Sequence, residues 1–230
     1  MSTSCPYRSL TRHTTSTPLP PQLPTAPGWS SCATPTAPRE RQHGEPKLDH
    51  FLGNIPAQVP VVIDGAYHEF VRALQVPDGV AIYRRYPNVA ILRTFSKAHG
   101  LAGLRVGYLI APDPLAHAVR TTSVPYAVNS LAQTAAIASL HAADELIERC
   151  DAVVRERNLL ATALRGQGWA LPHSEANVPW LPLGTSILDF AAACTAADAT
   201  VHPVTGEGVR VTMTTSEAND AFLEIAGQFV

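Results

Sequence analysis

Long apolar runs are missing from this 230-residue chain. Nothing in it approaches the roughly 20 consecutive apolar residues that a membrane-crossing helix needs, so no membrane partner is expected. A basic excess is missing as well: the formal net charge is −2, which argues against a nucleic-acid partner. Cysteine is sparse. Cys5, Cys32, Cys150 and Cys194 show none of the paired spacings that hold a metal, and they read as reduced thiols of a cytoplasmic protein. Residues 1–47 lack still more. They contain no valine or isoleucine and no acidic residue before Glu40, while nine of the twenty prolines fall among them. No helical or strand period can be followed there, and the composition is that of a disordered tail. Two sharper readings compete. The missing acids, with Arg8 and Arg12, fit a transit peptide, but the prolines oppose the amphipathic helix such a peptide needs. Pro18, Pro21, Pro24 and Pro27 make three PxxP steps, the pattern of a polyproline II ligand and hence of a binding module.

From Leu48 the texture changes. Apolar residues make up 46% of the chain, enough for one sizeable core or two small ones. Leu48, Phe51 and Leu52 have helical spacing. Val59–Ile63 is a short apolar run ending at Asp64, as a strand buried on both faces reads. Short helices are expected over Ala66–Leu74 and Gly79–Arg85, and strands over Val89–Leu92 and Val106–Ile110, the latter stopped by Pro112 and Pro114. Two long helical patterns follow. One starts at an N-cap, Asn129, and runs to Leu140. The other runs from Ala143 to Gly166, with Leu146, Ile147, Val153, Val154, Leu159, Leu160 and Leu164 on its apolar side and Gly166-Gln167-Gly168 at its end. Beyond Pro172 the pattern is that of a smaller α+β unit. Strands are expected near Val178–Leu183, Ala199–Val204 and Val209–Met213, with helices over Ser186–Ala196 and Ser216–Gly227. No internal repeat is present.

The chemistry concentrates between the strands over Val89–Leu92 and Val106–Ile110. There the chain presents Thr94, Ser96, Lys97 and, eight residues on, Arg105. An amine, two hydroxyls and a guanidinium on one pinned loop suit an anionic, carbonyl-bearing ligand: the amine can form an imine, and the others can hold a phosphate. Asp64 and Tyr67 stand at the end of the earlier strand, where open α/β sheets place their ligands. Taken singly, Asp64 is a strand-end cap, Tyr67 a core residue and Arg210 a solvated strand residue. The combination and its order favour function.

The combination resembles the fold-type I pyridoxal-phosphate aminotransferases, in the branch of the histidinol-phosphate and bacterial aromatic amino acid aminotransferases. DGAYHEF at 64–70, RTFSKAHGLAGLRVGY at 93–108, ANVPWLPLG at 176–184 and GVRVT at 208–212 carry the resemblance, which extends from about Leu48 to the C-terminus. It implies an α/β fold of the aspartate aminotransferase type. An incomplete large domain (48–167) binds pyridoxal 5′-phosphate, and a small C-terminal α+β domain (168–230) follows. It further implies that Lys97 joins the cofactor as an imine and shuttles the substrate's proton. Asp64 keeps the pyridine nitrogen protonated, Tyr67 hydrogen-bonds the ring oxygen, and Thr94, Ser96 and Arg105 hold the phosphate. Arg210 grips the substrate carboxylate. Gly65 stands where relatives carry a glutamate, and His202 where many carry an arginine. His99 and His202 read as structural or solvent-facing. The implied reaction exchanges an amino group between an aromatic amino acid or histidinol phosphate and a 2-oxo acid, with glutamate and 2-oxoglutarate as partners, in a cytoplasmic homodimer. Residues 119–143 lean toward the aromatic branch. The alternatives are an inert fragment of such an enzyme and a PxxP-displaying binding protein.

Relatives carry a longer N-terminal part, including an NPNNPTG motif, that does not appear between Met1 and Leu48. Back-translation of Trp29–Arg41 (WSSCATPTAPRER), read from the third base of the Trp codon, can give VFVCNPNSPTGT. Residues 1–44 are therefore expected to be out of frame, through a sequencing error, a frameshift or a mis-called start.

Overall fold

The computed structural model of the chain describes residues 30–33, 45–212 and 215–230. The transit-peptide and PxxP readings fall outside these residues. Two sheets organise what is described. The first has four strands in the order β1 (Ser30–Ala33), β2 (Val61–Asp64), β3 (Val89–Thr94) and β4 (Gly107–Ile110). The first three run parallel and β4 is antiparallel to β3. The second has three antiparallel strands, β5 (Trp180–Leu181), β7 (Gly208–Val211) and β6 (Val201–Val204), in that order.

The apolar strands of the first sheet form the floor of one core. Val61, Ile63, Val89 and Ile91 are buried against Leu48 and Leu52 of α1 (Glu45–Gly53) and Ile82 of α2 (Gly79–Arg85). A second core gathers around Phe190, fully buried on α6 (Ile187–Ala196). Trp169, Phe222 and Phe229 meet its ring edge-on, at centroid distances of 6.4, 5.9 and 5.2 Å. Phe222 belongs to α7 (Ser216–Ala226). The helix α5 (Ala143–Gln167) contributes to more than one cluster: Leu146, Cys150 and Val154 pack on Phe70, while Leu160 and Leu164 enter the Phe190 core. It ends where Gly168 takes a left-handed conformation (φ 110°) that places its N–H on Arg165 O, a geometry glycine adopts without a Cβ penalty.

Several expectations from the sequence need correction. The disordered tail expected through residue 47 does not hold at Ser30–Ala33, which form a strand, or from Glu45, where α1 begins. Ala66–Leu74 is not a helix. Only a 3₁₀ turn, His68–Phe70, forms, after which Val71 is extended and Arg72 N–H donates to Glu175 rather than to a helical carbonyl. Pro112 and Pro114 do stop β4, but they also start a helix that the pattern did not suggest, α3 (Asp113–Thr122). Proline is compatible with a first helical turn because the N–H it lacks would be unpaired there. Ile147 and Leu159, assigned to the apolar side of α5, are 55% and 65% exposed.

Asn129 caps α4 (Ser130–His141) as expected, its Oδ1 accepting from Ala132 N–H at 2.9 Å. Asn129→Ala is expected to cost about 1 kcal/mol, read as a lower midpoint in a urea melt.

Candidate active site

Asp64 ends β2 with its side chain exposed, and its Oδ1 accepts from Ala66 N–H at 2.9 Å. That bond turns the chain out of the sheet and into the 3₁₀ turn preceded by Tyr67. Because β2 and β3 are parallel with Asp64 opposite Leu92, Thr94 lies two residues further along at the same end of the sheet. Its Oγ1 accepts from Ser96 N–H at 3.0 Å. Lys97 follows in the turn, half-buried, with its carbonyl receiving Gly100 N–H at 3.0 Å. Its Nζ lies 5.1 Å from the centre of the Tyr67 ring, within cation–π range. The chain then returns antiparallel. Thr94 faces Gly107, and Phe95 N–H donates to Val106 O at 3.1 Å, so Arg105 comes level with Ser96. Arg105 adopts the left-handed conformation (φ 53°) and donates from Nη1 to Ala102 O at 2.9 Å. Such a conformation is uncommon for a residue with a Cβ.

The lysine loop is fastened from behind. Phe95 is buried with Val106, Ala132 and Ala136. His99 Nδ1 shares a 2.7 Å hydrogen bond with Ser139 Oγ on α4, and its ring packs 4.5 Å from that of Phe95. Burial lowers the pKa of His99 below the usual histidine value, which keeps the imidazole neutral and suits a structural anchor.

Gly65 is a point of close approach. A Cβ there would lie 2.9 Å from both Leu92 O and Arg93 Nη1, so a glutamate at this position would meet the backbone of β3. Arg93 is 8% exposed and donates from Nη1 to Gly65 O at 3.3 Å. Sequence reasoning gave Arg93 no role; the signal was a charged residue directly after the apolar run Val89–Leu92. Gly65→Ala is expected to push the strands apart and cost about 1–3 kcal/mol, visible as a lower thermal midpoint.

Arg210 belongs to the second sheet rather than to the lysine loop. It sits on β7 opposite Trp180 of β5 and His202 of β6. It is half-buried rather than solvated, and its Nε is buried without a hydrogen-bond partner. Asn177 Oδ1 is in the same condition. Asn177 was part of the ANVPW motif but had no assigned role. A buried polar atom left unpaired costs about 1–3 kcal/mol, so the guanidinium edge is a donor suited to an incoming acceptor. A cavity of about 190 Å³ lined by Arg157, Thr162, Arg165 and His173 shares no residue with the lysine loop.

The donor set at the sheet end comprises a primary amine, a carboxylate, a phenol, two hydroxyls and a guanidinium. These groups fit a phosphorylated pyridine aldehyde, and the orphaned Nε of Arg210 fits a carboxylate. Among the described residues no cluster of metal-ligating side chains is present.

A sequence model of the family described as aminotransferase class I and II matches residues 47–225. An aromatic amino acid aminotransferase of Streptomyces avermitilis is 56% identical over 183 residues, which is 80% of this chain and 51% of that protein. Its counterpart in Thermobifida fusca is 54% identical over 182 residues, 79% of this chain and 51% of that protein. The chain thus spans about half the length of the curated relatives it matches. Among solved structures, histidinol-phosphate aminotransferase from Sinorhizobium meliloti in complex with pyridoxal-5′-phosphate superposes with a TM-score of 0.73. It is 24% identical, with 89% of this chain and 59% of that one covered. Aspartate aminotransferase from Thermotoga maritima gives a TM-score of 0.74 at 19% identity, covering 87% of this chain and 56% of that one.

Proposed function

The chain belongs to the class I and II aminotransferases, and on that premise we propose that it is part of a transaminase acting between an aromatic amino acid and a 2-oxo acid, with 2-oxoglutarate and glutamate as the partner pair. The observation that carries this reading is the gathering of Asp64, Tyr67, Thr94, Ser96, Lys97 and Arg105 at one end of the first sheet. The family's cofactor is pyridoxal 5′-phosphate, which when bound supplies an electron sink that makes an amino acid's α-proton removable. Lys97 holds it through the amine and carries a proton at Nζ. Asp64 keeps a proton on the ring nitrogen, Tyr67 hydrogen-bonds the ring oxygen, and Thr94, Ser96 and Arg105 bind the phosphate, Arg105 with charge-assisted bonds. Arg210 orients the substrate through its carboxylate. Residues 48–167 and 168–230 form the cofactor and small domains, and the working unit is a cytoplasmic homodimer. No helix among the described residues is long and apolar enough to cross a membrane.

The choice of aromatic substrates over histidinol phosphate rests on the names of the relatives more than half identical to the chain. A second reading, that this chain alone is an inert portion of such an enzyme, is favoured by its bare apolar side chains. Val124, Tyr126, Leu131 and Ile137 are 73%, 97%, 67% and 58% exposed. Purified protein supplied with pyridoxal phosphate and 2-oxoglutarate is expected to form glutamate from phenylalanine or tyrosine at least about tenfold more efficiently than from histidinol phosphate, a margin of about 1.4 kcal/mol. The reverse order overturns the substrate assignment. Visible cofactor absorbance without glutamate from either donor overturns transamination. A folded sample with no absorbance identifies the inert portion.

A further inference from the structure

The edge strand of the first sheet carries residues unsuited to its place. β1 pairs with β2 along its length, Ser30 with Val61 through Ala33 with Asp64. Parallel strands are covered on both faces and read as near-continuous apolar runs. VVID of β2 and VAILRT of β3 follow that rule, and SSCA of β1 does not.

The nucleotides beneath β1 hold a better strand. Tryptophan has a single codon, ending in G. Reading from that base in Trp29, with TCN serines and CGN arginines, each new codon takes its first base from a wobble position and its other two from the next residue. The first codon is then GTC, valine. Ser31 gives Phe, Leu, Ile or Val, and Cys32 gives Leu, Met or Val, whatever the wobble bases. Ala33 gives Cys or Arg. Three apolar residues are thus forced where the structure pairs a strand with β2. The codons that follow admit Asn-Pro-Asn-Ser-Pro-Thr-Gly, a run of turn-forming residues suited to leaving a sheet.

Composition points the same way. Apart from Tyr7, Leu10, His13, Leu19, Gln22, Leu23 and Glu40, every residue from Ser2 to Arg41 is a type whose codon has G or C in the middle. In the shifted frame each of those middle bases is a wobble base. A gene that fills its wobble positions with G and C would yield such a segment when read one base out of register. The family match begins at residue 47, just past it.

We propose that the nucleotides encoding residues 2 to about 44 descend from a coding segment in this other frame, and that the sheet position beside β2 belongs to its apolar strand, Val-Phe-Val-Cys or a variant within the sets above. Rejoining the frame of α1 requires one extra base, or two missing, between codons 41 and 48. This inference stands apart from the catalytic reading, and its test involves no activity. Sequencing the gene through codons 1–48 is expected to show the shifted frame open, with TCN codons at Ser30 and Ser31 and wobble bases that spell the strand and turn. A stop in that frame, or AGY serines there, overturns the proposal. The chain re-expressed with that frame joined to codon 48 is expected to show amide exchange at Val61–Ile63 slowed about tenfold or more relative to the present 230-residue chain. Equal rates overturn the assignment of the sheet position.

Discussion

Alanine in place of Lys97 is expected to abolish covalent capture of pyridoxal phosphate while leaving the fold in place. The loop that carries Lys97 is held by groups other than its amine. Phe95 is buried, His99 is bonded to Ser139, and Leu101 N–H donates to Phe95 O at 2.9 Å. Truncation removes the contact with the Tyr67 ring, worth about 0.5–1 kcal/mol at a partly exposed site, and little else. The chemical loss is much larger. A positioned proton-transfer group alone contributes about 10²–10⁴-fold to rate, and loss of the anchoring amine adds to that. Borohydride reduction followed by peptide mapping is the measurement. The chain has only two lysines, Lys47 and Lys97, so the site of labelling can be assigned directly. Label confined to the Lys97 peptide and absent from Lys97→Ala, with an unchanged circular dichroism spectrum, is the expected result. Label on Lys47, or persisting in the variant, would remove Lys97 from its assigned role.

The candidate site was legible in the sequence because most of its residues lie close together along the chain. Thr94, Ser96, Lys97 and Arg105 share one strand–turn–strand segment, and Asp64 ends a short apolar run that reads as a buried strand. Local signals with local causes also read correctly, such as the Asn129 cap and the stop at Gly168. What did not read were features decided by distant partners. The segment after Tyr67 has helix-compatible residues, but Arg72 N–H is taken by Glu175, 103 residues away, and the helix gives way. Arg93 is buried because Gly65 lets the neighbouring strand close over it. The prolines before α3 served two elements at once, which a rule for ending strands does not reveal.

The buried pair beside the 3₁₀ turn His68–Phe70 carries the largest expected effect on stability. Arg157 of α5 and Glu175 are 5% and 4% exposed, with Nη2 and Oε2 3.6 Å apart. Arg157 also reaches Phe70 O and Ala176 O, both at 3.4 Å. Glu175 receives Arg72 N–H at 2.7 Å and pairs with His173 Nε2 at 2.8 Å. Burial pushes the Glu175 carboxyl up, but the bonds from Arg72 and His173 and the charge of Arg157 outweigh it and hold its pKa below the usual range. Arg157→Ala strands that carboxylate without its guanidinium and is expected to cost about 3–5 kcal/mol near neutral pH. A carboxyl whose pKa is depressed by folding contributes stability that is fully present above its unfolded pKa and is lost as pH falls through its folded one. In the variant the main positive neighbour is gone, Glu175 protonates at higher pH, and the penalty shrinks on acidification. Urea melts should therefore show a wide gap between wild type and variant at about pH 7 that narrows toward about pH 4, near the carboxylate range. An equal gap at both would mean that Arg157 acts through packing alone. Because Arg157 ties α5 to the carbonyl of Phe70, three residues beyond Tyr67, the variant should also weaken cofactor retention. A loss of stability with cofactor affinity unchanged would separate this network from the site.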